Sequence, residues 1–282
     1  MTESLLRVAT SLNVFDDYVG PIEDNVRRLA QAGFEGIDFN GIDVVRAWLA
    51  DGGDRHVARL GAAAAAHGLV FTQAHGPMFK DHDDQCATAE PLIAACLRWS
   101  GRLGVPWMVM HPFTLPGATL AANREANVAF YRAWLPRMEA CGVGIALENM
   151  SDHFSPHRRY GAVPEELADL CDTLDHPLFG LCWDTGHARL QQLDQRAALG
   201  LLGARLKVLH VQDNNGHRDD HILPYTGTID WSTVVAGLHA AGYAGAWCFE
   251  VHNAVRTLPD ALRDQALALM VGIGRTLGAQ VA

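Results

Sequence analysis

The chain has 282 residues, 49% of them hydrophobic and 19% charged, and a formal net charge of −10 at pH 7. That apolar content supports a buried core and is too high for disorder, and no run of about 18 apolar residues is present to span a membrane. The acidic balance, with Lys80 and Lys207 as the only lysines, argues against a protein that grips a phosphate backbone, which would carry a basic stripe.

In chain order, short apolar runs of β-prone residues fall at 6–10, 36–39, 69–75, 107–111, 144–148, 179–184, 206–211 and 246–250. Several are continuously apolar, as expected of parallel strands buried on both faces. Helical patterns lie between them. Val128, Tyr131, Trp134, Leu135 and Met138 recur at helical spacing, with Pro136 predicting a kink or break. Leu262, Ala266, Leu269, Met270, Ile273 and Leu277 predict the apolar face of a last helix. The stretch Ala32-Gly33-Phe34-Glu35-Gly36-Ile37 echoes Ala241-Gly242-Tyr243-Ala244-Gly245-Ala246, each reading as a helix end that turns through glycine into a strand. Eight such units, with no linker between them, predict an α/β fold made of a single (β/α)₈ TIM barrel over residues 1–282. A doubly wound open sheet is the other option, but no G-x-G-x-x-G follows the first strand.

The six cysteines, Cys86, Cys96, Cys141, Cys171, Cys182 and Cys248, form no C-x-x-C pair and are expected to be reduced core residues. The start, MTESLLRVAT, has no basic region leading into an apolar one, so a cytoplasmic location is expected.

Polar residues gather where the strand runs end: Gln73 and His75, His111, Glu148 and Asn149, Asp184 with His187, His210, and Glu250. The longest connections, 76–91, 149–164 and 212–230, follow these ends, and active sites of such barrels are built from the loops after the strands. One histidine at a strand end is ordinarily a hydrogen-bonded structural residue, and one Asp or Glu there ordinarily caps a helix. Repetition at six strand ends is different, because a closed barrel aims them into one space. Converging acids and imidazoles raise one another's ionisation cost, and a divalent cation relieves it. Mixed carboxylate and imidazole ligands suit Mn²⁺, Co²⁺, Fe²⁺, Zn²⁺ or Mg²⁺.

The segments Ala146-Leu147-Glu148-Asn149, Asp184-Thr185-Gly186-His187-Ala188, Leu209-His210-Val211-Gln212-Asp213 and Gly227-Thr228-Ile229-Asp230-Trp231 resemble the xylose isomerase-like barrels, a superfamily with sugar-phosphate isomerases, ketose 3-epimerases, inosose dehydratases and the endonuclease IV group. Resemblance to the ketose 3-epimerases implies that Glu148, Asp184, His210 and Glu250 ligate one metal. It also implies that Glu148 and Glu250 are the acid/base pair and that His187 contacts substrate. A metal that chelates a carbonyl and its neighbouring hydroxyl acidifies the C–H between them and stabilises the enediolate. Glutamates on opposite sides then remove and return the proton. Arg218 is a loose counterpart of the epimerase arginine.

Resemblance to endonuclease IV implies a wider set for several zinc ions: His75, His111, Glu148, Asp184, His187, His210, Asp219, His221 and Glu250. Arg158 and Arg159 offer an anion contact or a solvated pair. Trp183 and Phe113 offer a wall against a sugar ring or core packing. Residues 80–84 read as a lid or a solvated turn, and His82, His153, His157, His217 and His252 as incidental. The leading expectation is a metal-dependent isomerase or epimerase of a small keto-sugar or polyol. Alternatives are a lyase or dehydratase, an endonuclease IV-like phosphodiesterase, and a non-catalytic sugar-binding barrel. A homo-oligomer is expected from the resemblance, with no nucleic-acid or membrane partner.

Overall fold

The structure, a computed structural model, describes residues 6–15, 22–79, 82–155 and 157–281. Its strands are β1 (Val8–Ser11), β2 (Gly36–Asn40), β3 (Val70–His75), β4 (Trp107–Met110), β5 (Gly144–Glu148), β6 (Phe179–Asp184), β7 (Leu206–His210) and β8 (Trp247–Phe249). They pair in parallel in the order β7-β6-β5-β4-β3-β2-β1-β8. The two ends meet just past β7, where Val211 bridges Phe249 in parallel and donates from its N–H to the Cys248 carbonyl at 2.8 Å. The sheet is therefore a barrel, with the predicted strands in the predicted order. Every residue of β5 and β6 is buried, because helices cover one face and the barrel interior the other.

The helices are α1 (Ile22–Ala32), α2 (Gly41–Ala50), α3 (Gly53–Ala66), α4 (His82–Leu103), α5 (Leu120–Arg132), α6 (Leu135–Cys141), α7 (Pro164–Leu174), α8 (Thr185–Leu190), α9 (Gln195–Leu202), α10 (Trp231–Ala241), α11 (His252–Arg256) and α12 (Asp260–Val281). None of the described helices is long and apolar enough to cross a membrane. The sequence echo is a shared helix ending. Gly33 and Gly242 take φ of +99° and +65°, and the next residue's N–H reaches back to Leu29 and Leu238 respectively. Left-handed backbone at that point is what glycine permits at no steric cost. The break at Pro136 is also as expected: α5 stops at Arg132, and the proline sits in the first turn of α6, where its missing N–H matters least.

Two expectations are corrected. The connection after β3 ends at α4, which begins at His82 and carries Pro91 within it, so it does not run to 91. Helix formers such as Ala87, Ala89 and Glu90 before the proline and Leu92, Ala94 and Ala95 after it outweigh the one hydrogen bond that the proline removes. The lid reading of 80–84 falls partly outside the described residues, as do the side chains of His82 and Cys86. In α12 the buried face runs through Leu267, Met270, Val271, Gly274, Leu277 and Gly278, leaving Leu262 and Leu269 50% and 55% exposed. The two glycines let the helix lie close on the barrel, a face that a count of bulky apolar residues does not find. The five described cysteines are free thiols, and all except half-buried Cys141 are buried.

Strand parity sets the interior. Val109, Ala146, Cys182 and Val208 form a small apolar cluster of their own on β4–β7. Side chains two residues apart on a strand share a face. Two positions on from these four stand His111, Glu148, Asp184 and His210, so the polar residues form the next layer, at the C-terminal mouth.

Candidate metal centre

Glu148, Asp184, His210 and Glu250 each present a ligand atom, and these atoms all lie within 4.8 Å of one another. β5, β6 and β7 end on the first three, and Glu250 follows β8 directly. His210 Nδ1 is 2.9 Å from Glu148 Oε1 and 3.4 Å from Glu250 Oε2, so it stands between the two glutamates. Glu148 is shared further: His111 Nε2 lies 2.8 Å and His75 Nε2 3.6 Å from its Oε2. His75, His111 and Glu148 thus form a second group with metal-ligand spacing. Beyond Asp184, His187 Nε2 is 3.5 Å and His221 Nε2 2.9 Å from Asp219 Oδ2. All nine positions named from the sequence therefore come together in one linked cluster.

The ionisation pattern is that of acids and imidazoles holding each other. Burial alone would raise Glu148, but His210 and His111 outweigh it and hold the carboxyl well below its ordinary range. Burial likewise opposes the charge on His210, His187 and His221; their acidic neighbours reverse this, taking His210 and His187 well above the usual imidazole value and His221 to about 9. Asp184 is the exception. Burial raises it to about 7, with the charges of Glu148, Glu250 and Asp219 adding and His187 opposing.

Two atoms in the cluster are buried without a hydrogen-bond partner among the described residues: Asp184 Oδ2 and His210 Nε2. An open carboxylate oxygen on Asp184, grouped with the carboxylates of Glu148 and Glu250 and the imidazole of His210, belongs to a donor set that fits a divalent cation. Cys182 also falls within reach of Glu148 and His210, and burial pushes its thiol up to about 12.

Residues to which the sequence assigned no role hold these side chains in place. The Asn149 amide donates to the Asp184 carbonyl at 2.9 Å and accepts from its N–H at 2.6 Å. The Asn149 carbonyl is 2.9 Å from His187 Nδ1. Gln212 Nε2 donates to Asp219 Oδ1 at 2.6 Å and to Asp184 Oδ1 at 3.3 Å. Buried Asp213 organises the loop after β7: it accepts from the N–H groups of Asn214, Ile229 and Tyr225 and from the Trp231 indole at 3.0 Å. That loop carries Asp219 and His221, whose φ of +48° is unusual for a residue with a side chain. The only sequence signal was adjacency, since Asn149 follows Glu148 and Gln212-Asp213 closely follow His210.

The two arginines after β5 separate. Arg158 is 44% exposed and ion-paired with Glu166 on α7, whereas Arg159 lines a cavity of about 450 Å³ beside the centre, with His111 and Phe113. Arg218 is exposed on the loop after β7. Trp183 is core, its indole donating to Gln195 at 3.0 Å. His252 stacks near His221, with ring centroids 4.5 Å apart, and His157 reaches the cavity. A second cavity, of about 760 Å³, opens at the opposite end of the barrel around Arg7 and Lys207, away from the acids and imidazoles.

The family described as xylose isomerase-like TIM barrel matches residues 26–270. An uncharacterized protein of Sinorhizobium fredii, y4fM, is 26% identical over 194 residues, 66% of this chain and 60% of that protein. A probable endonuclease 4 of Methanoculleus marisnigri is 29% identical over 185 residues, 59% of this chain and 60% of that protein. The match therefore spans about 60% of the length of each relative. Among solved structures, D-psicose 3-epimerase with D-tagatose from Clostridium cellulolyticum H10 has a TM-score of 0.75 at 18% identity, covering 96% of this chain and 99% of that one. The IolI protein with a bound zinc atom has a TM-score of 0.76 at 15% identity, over 98% of both chains. At these identities the likeness is one of fold.

Proposed function

The chain belongs to the xylose isomerase-like TIM barrel family, and from that premise we propose that it is a metal-dependent isomerase or epimerase of a small keto-sugar or related polyol. The observation that carries the reading is the four-residue group Glu148, Asp184, His210 and Glu250, with His210 Nδ1 2.9 Å from one glutamate and 3.4 Å from the other. The epimerase and zinc-bound structures that share the fold support it.

Those four side chains would hold the cation. When bound, it supplies the positive charge that stabilises a substrate oxygen as the neighbouring C–H loses its proton. The protein supplies the proton transfer. Glu148 and Glu250 are both kept below the ordinary carboxyl range by flanking imidazoles, so either accepts a proton near neutral pH. One glutamate takes a proton from one face of the substrate carbon; the other first takes a proton from solvent and then delivers it to the opposite face. His187, half-buried beside Asp184 and Asp219, is placed to hydrogen-bond a substrate hydroxyl.

Solvent deuterium uptake into carbon across a panel of ketoses, with and without added Mn²⁺, Co²⁺, Mg²⁺ or Zn²⁺, tests the proposal. Metal-dependent exchange is expected; none across the panel overturns it, and an unsaturated product moves the reading to a lyase.

A second reading is favoured by a separate observation. The groups His75–His111–Glu148 and His187–Asp219–His221 flank the four-residue group and complete the set implied by resemblance to endonuclease IV. These residues would hold further cations, which would supply positive charge for phosphodiester hydrolysis. Elemental analysis of protein purified without chelator separates the two: about one divalent ion per chain favours the isomerase, and two or three favour the phosphodiesterase.

A further inference from the structure

The cavity beside the centre joins it through His111 and is otherwise walled largely by Met78, Phe79, Pro112, Phe113 and Pro116. Arg159 lies in that wall. It is half-buried, and among the described residues its guanidinium forms no ion pair; only its backbone N–H is engaged, by Asp152 Oδ1 at 2.5 Å. Its neighbour Arg158 makes the contrast, being neutralised by Glu166 while more exposed. Burial lowers the Arg159 pKa, with the charge of Asp152 opposing. A guanidinium partly out of water without a counter-ion is costly to keep, and the same apolar surroundings strengthen its bond to an anion that enters.

From the cavity, its largely apolar wall and this guanidinium without an ion pair among the described residues, we infer that the substrate carries a carboxylate, held by Arg159 in a bidentate pair, so that the substrate class is a keto-sugar acid or polyol acid. Among the described residues Arg159 is the permanent cation of the wall; a carboxylate brings one negative charge to it, and its two oxygens match the planar fork of arginine. A phosphate would bring about −1.5 to −2 against the single charge of that guanidinium. The flat faces of Phe113 and the prolines then cover the C–H face of the polyol chain. The inference rests on the isomerase or epimerase reading for the reaction, though not for the binding.

Calorimetric titration of D-gluconate, D-glucitol and D-glucitol 6-phosphate into the metal-free and the Mg²⁺-loaded protein tests it, since none of them carries the keto group that turnover needs. Gluconate is expected to bind roughly tenfold to hundredfold more tightly than glucitol. The preference is lost in Arg159→Gln and partly kept in Arg159→Lys, with both variants folded by thermal unfolding. Equal binding of gluconate and glucitol to the wild type, a preference that survives Arg159→Gln, or tighter binding of the phosphate ester would each overturn it. Should no ketose, neutral or acidic, exchange deuterium while the Arg159-dependent preference holds, the reaction reading falls and the carboxylate site stands. Exchange on neutral ketoses together with equal binding of gluconate and glucitol sinks the site alone.

Discussion

Glu148 is the most contested side chain in the barrel, with His210 on one oxygen and His111 and His75 on the other. Glu250 has fewer ties, so its replacement separates chemistry from folding more cleanly. Glu250→Gln should lower deuterium exchange by about 10²- to 10⁴-fold, with the melting temperature nearly unchanged. Exchange at the wild-type rate would remove Glu250 from the mechanism. Protons give a second expectation. Asp184 titrates at about 7 in the metal-free protein, while His210 and His187 are shifted well upward. Ligands bind a cation only when unprotonated, so loading should expel protons and tighten as pH rises through that range. Calorimetry in buffers of different ionisation enthalpy should show tighter binding at about pH 8 than at about pH 6, with more protons released at the lower value. Equal affinity at both would contradict the buried, upshifted Asp184. Seven of the nine cluster residues were legible at strand ends, after apolar runs, whereas Asp219 and His221, in a polar loop, were reached only through the resemblance to endonuclease IV. The roles of Asn149, Gln212 and Asp213 were not legible, since they consist of contacts to residues distant in the chain.

Asp184 shows how an ordinary helix device and a candidate ligand share one side chain. Its Oδ1 accepts from the His187 N–H at 2.6 Å and caps α8, while Oδ2 is the buried oxygen without a partner. The structural and functional readings of that residue are compatible because a carboxylate has two oxygens. Gly186 in the first turn of α8 is tied to the same arrangement: a Cβ there would fall 2.1 Å from the Gln212 side chain. Gly186→Ala should displace Gln212 from Asp184 and Asp219, weaken metal binding by about 10- to 100-fold and destabilise the fold by about 1–3 kcal/mol. Calorimetry and denaturant unfolding check the two effects; wild-type affinity in the variant would dismiss the Gln212 link. In the loop after β7, Asp213→Asn sets an amide N–H₂ against N–H donors. A loss of about 1–3 kcal/mol is expected, with faster hydrogen exchange across 212–230. Protection as in the wild type would show that the loop is held by something else.

For the whole molecule, a cation that binds the folded barrel alone should stabilise it by about 2.7 kcal/mol at a hundredfold excess over Kd. Stripping the metal should therefore lower the melting temperature by several degrees, and adding it back should restore it. A melting curve indifferent to chelator would count against any resident ion. The alternation of apolar runs and helical patterns determined, from the sequence alone, an eight-unit barrel and the end of it at which the polar residues sit. Periodicity carries that information because strands and helices bury surface at different repeats. Tertiary structure decided the rest. Closure between Val211 and Phe249 brings Glu250 beside His210 and Glu148. Contacts across the loops place Arg159 in the cavity wall while Arg158, one residue earlier, pairs with α7. Close approach to the barrel, through Gly274 and Gly278, chose the buried face of α12 and left Leu262 and Leu269 in water. The physical reason is common to all three: a side chain's direction and partner depend on which distant segment packs beside it, and local spacing does not contain that.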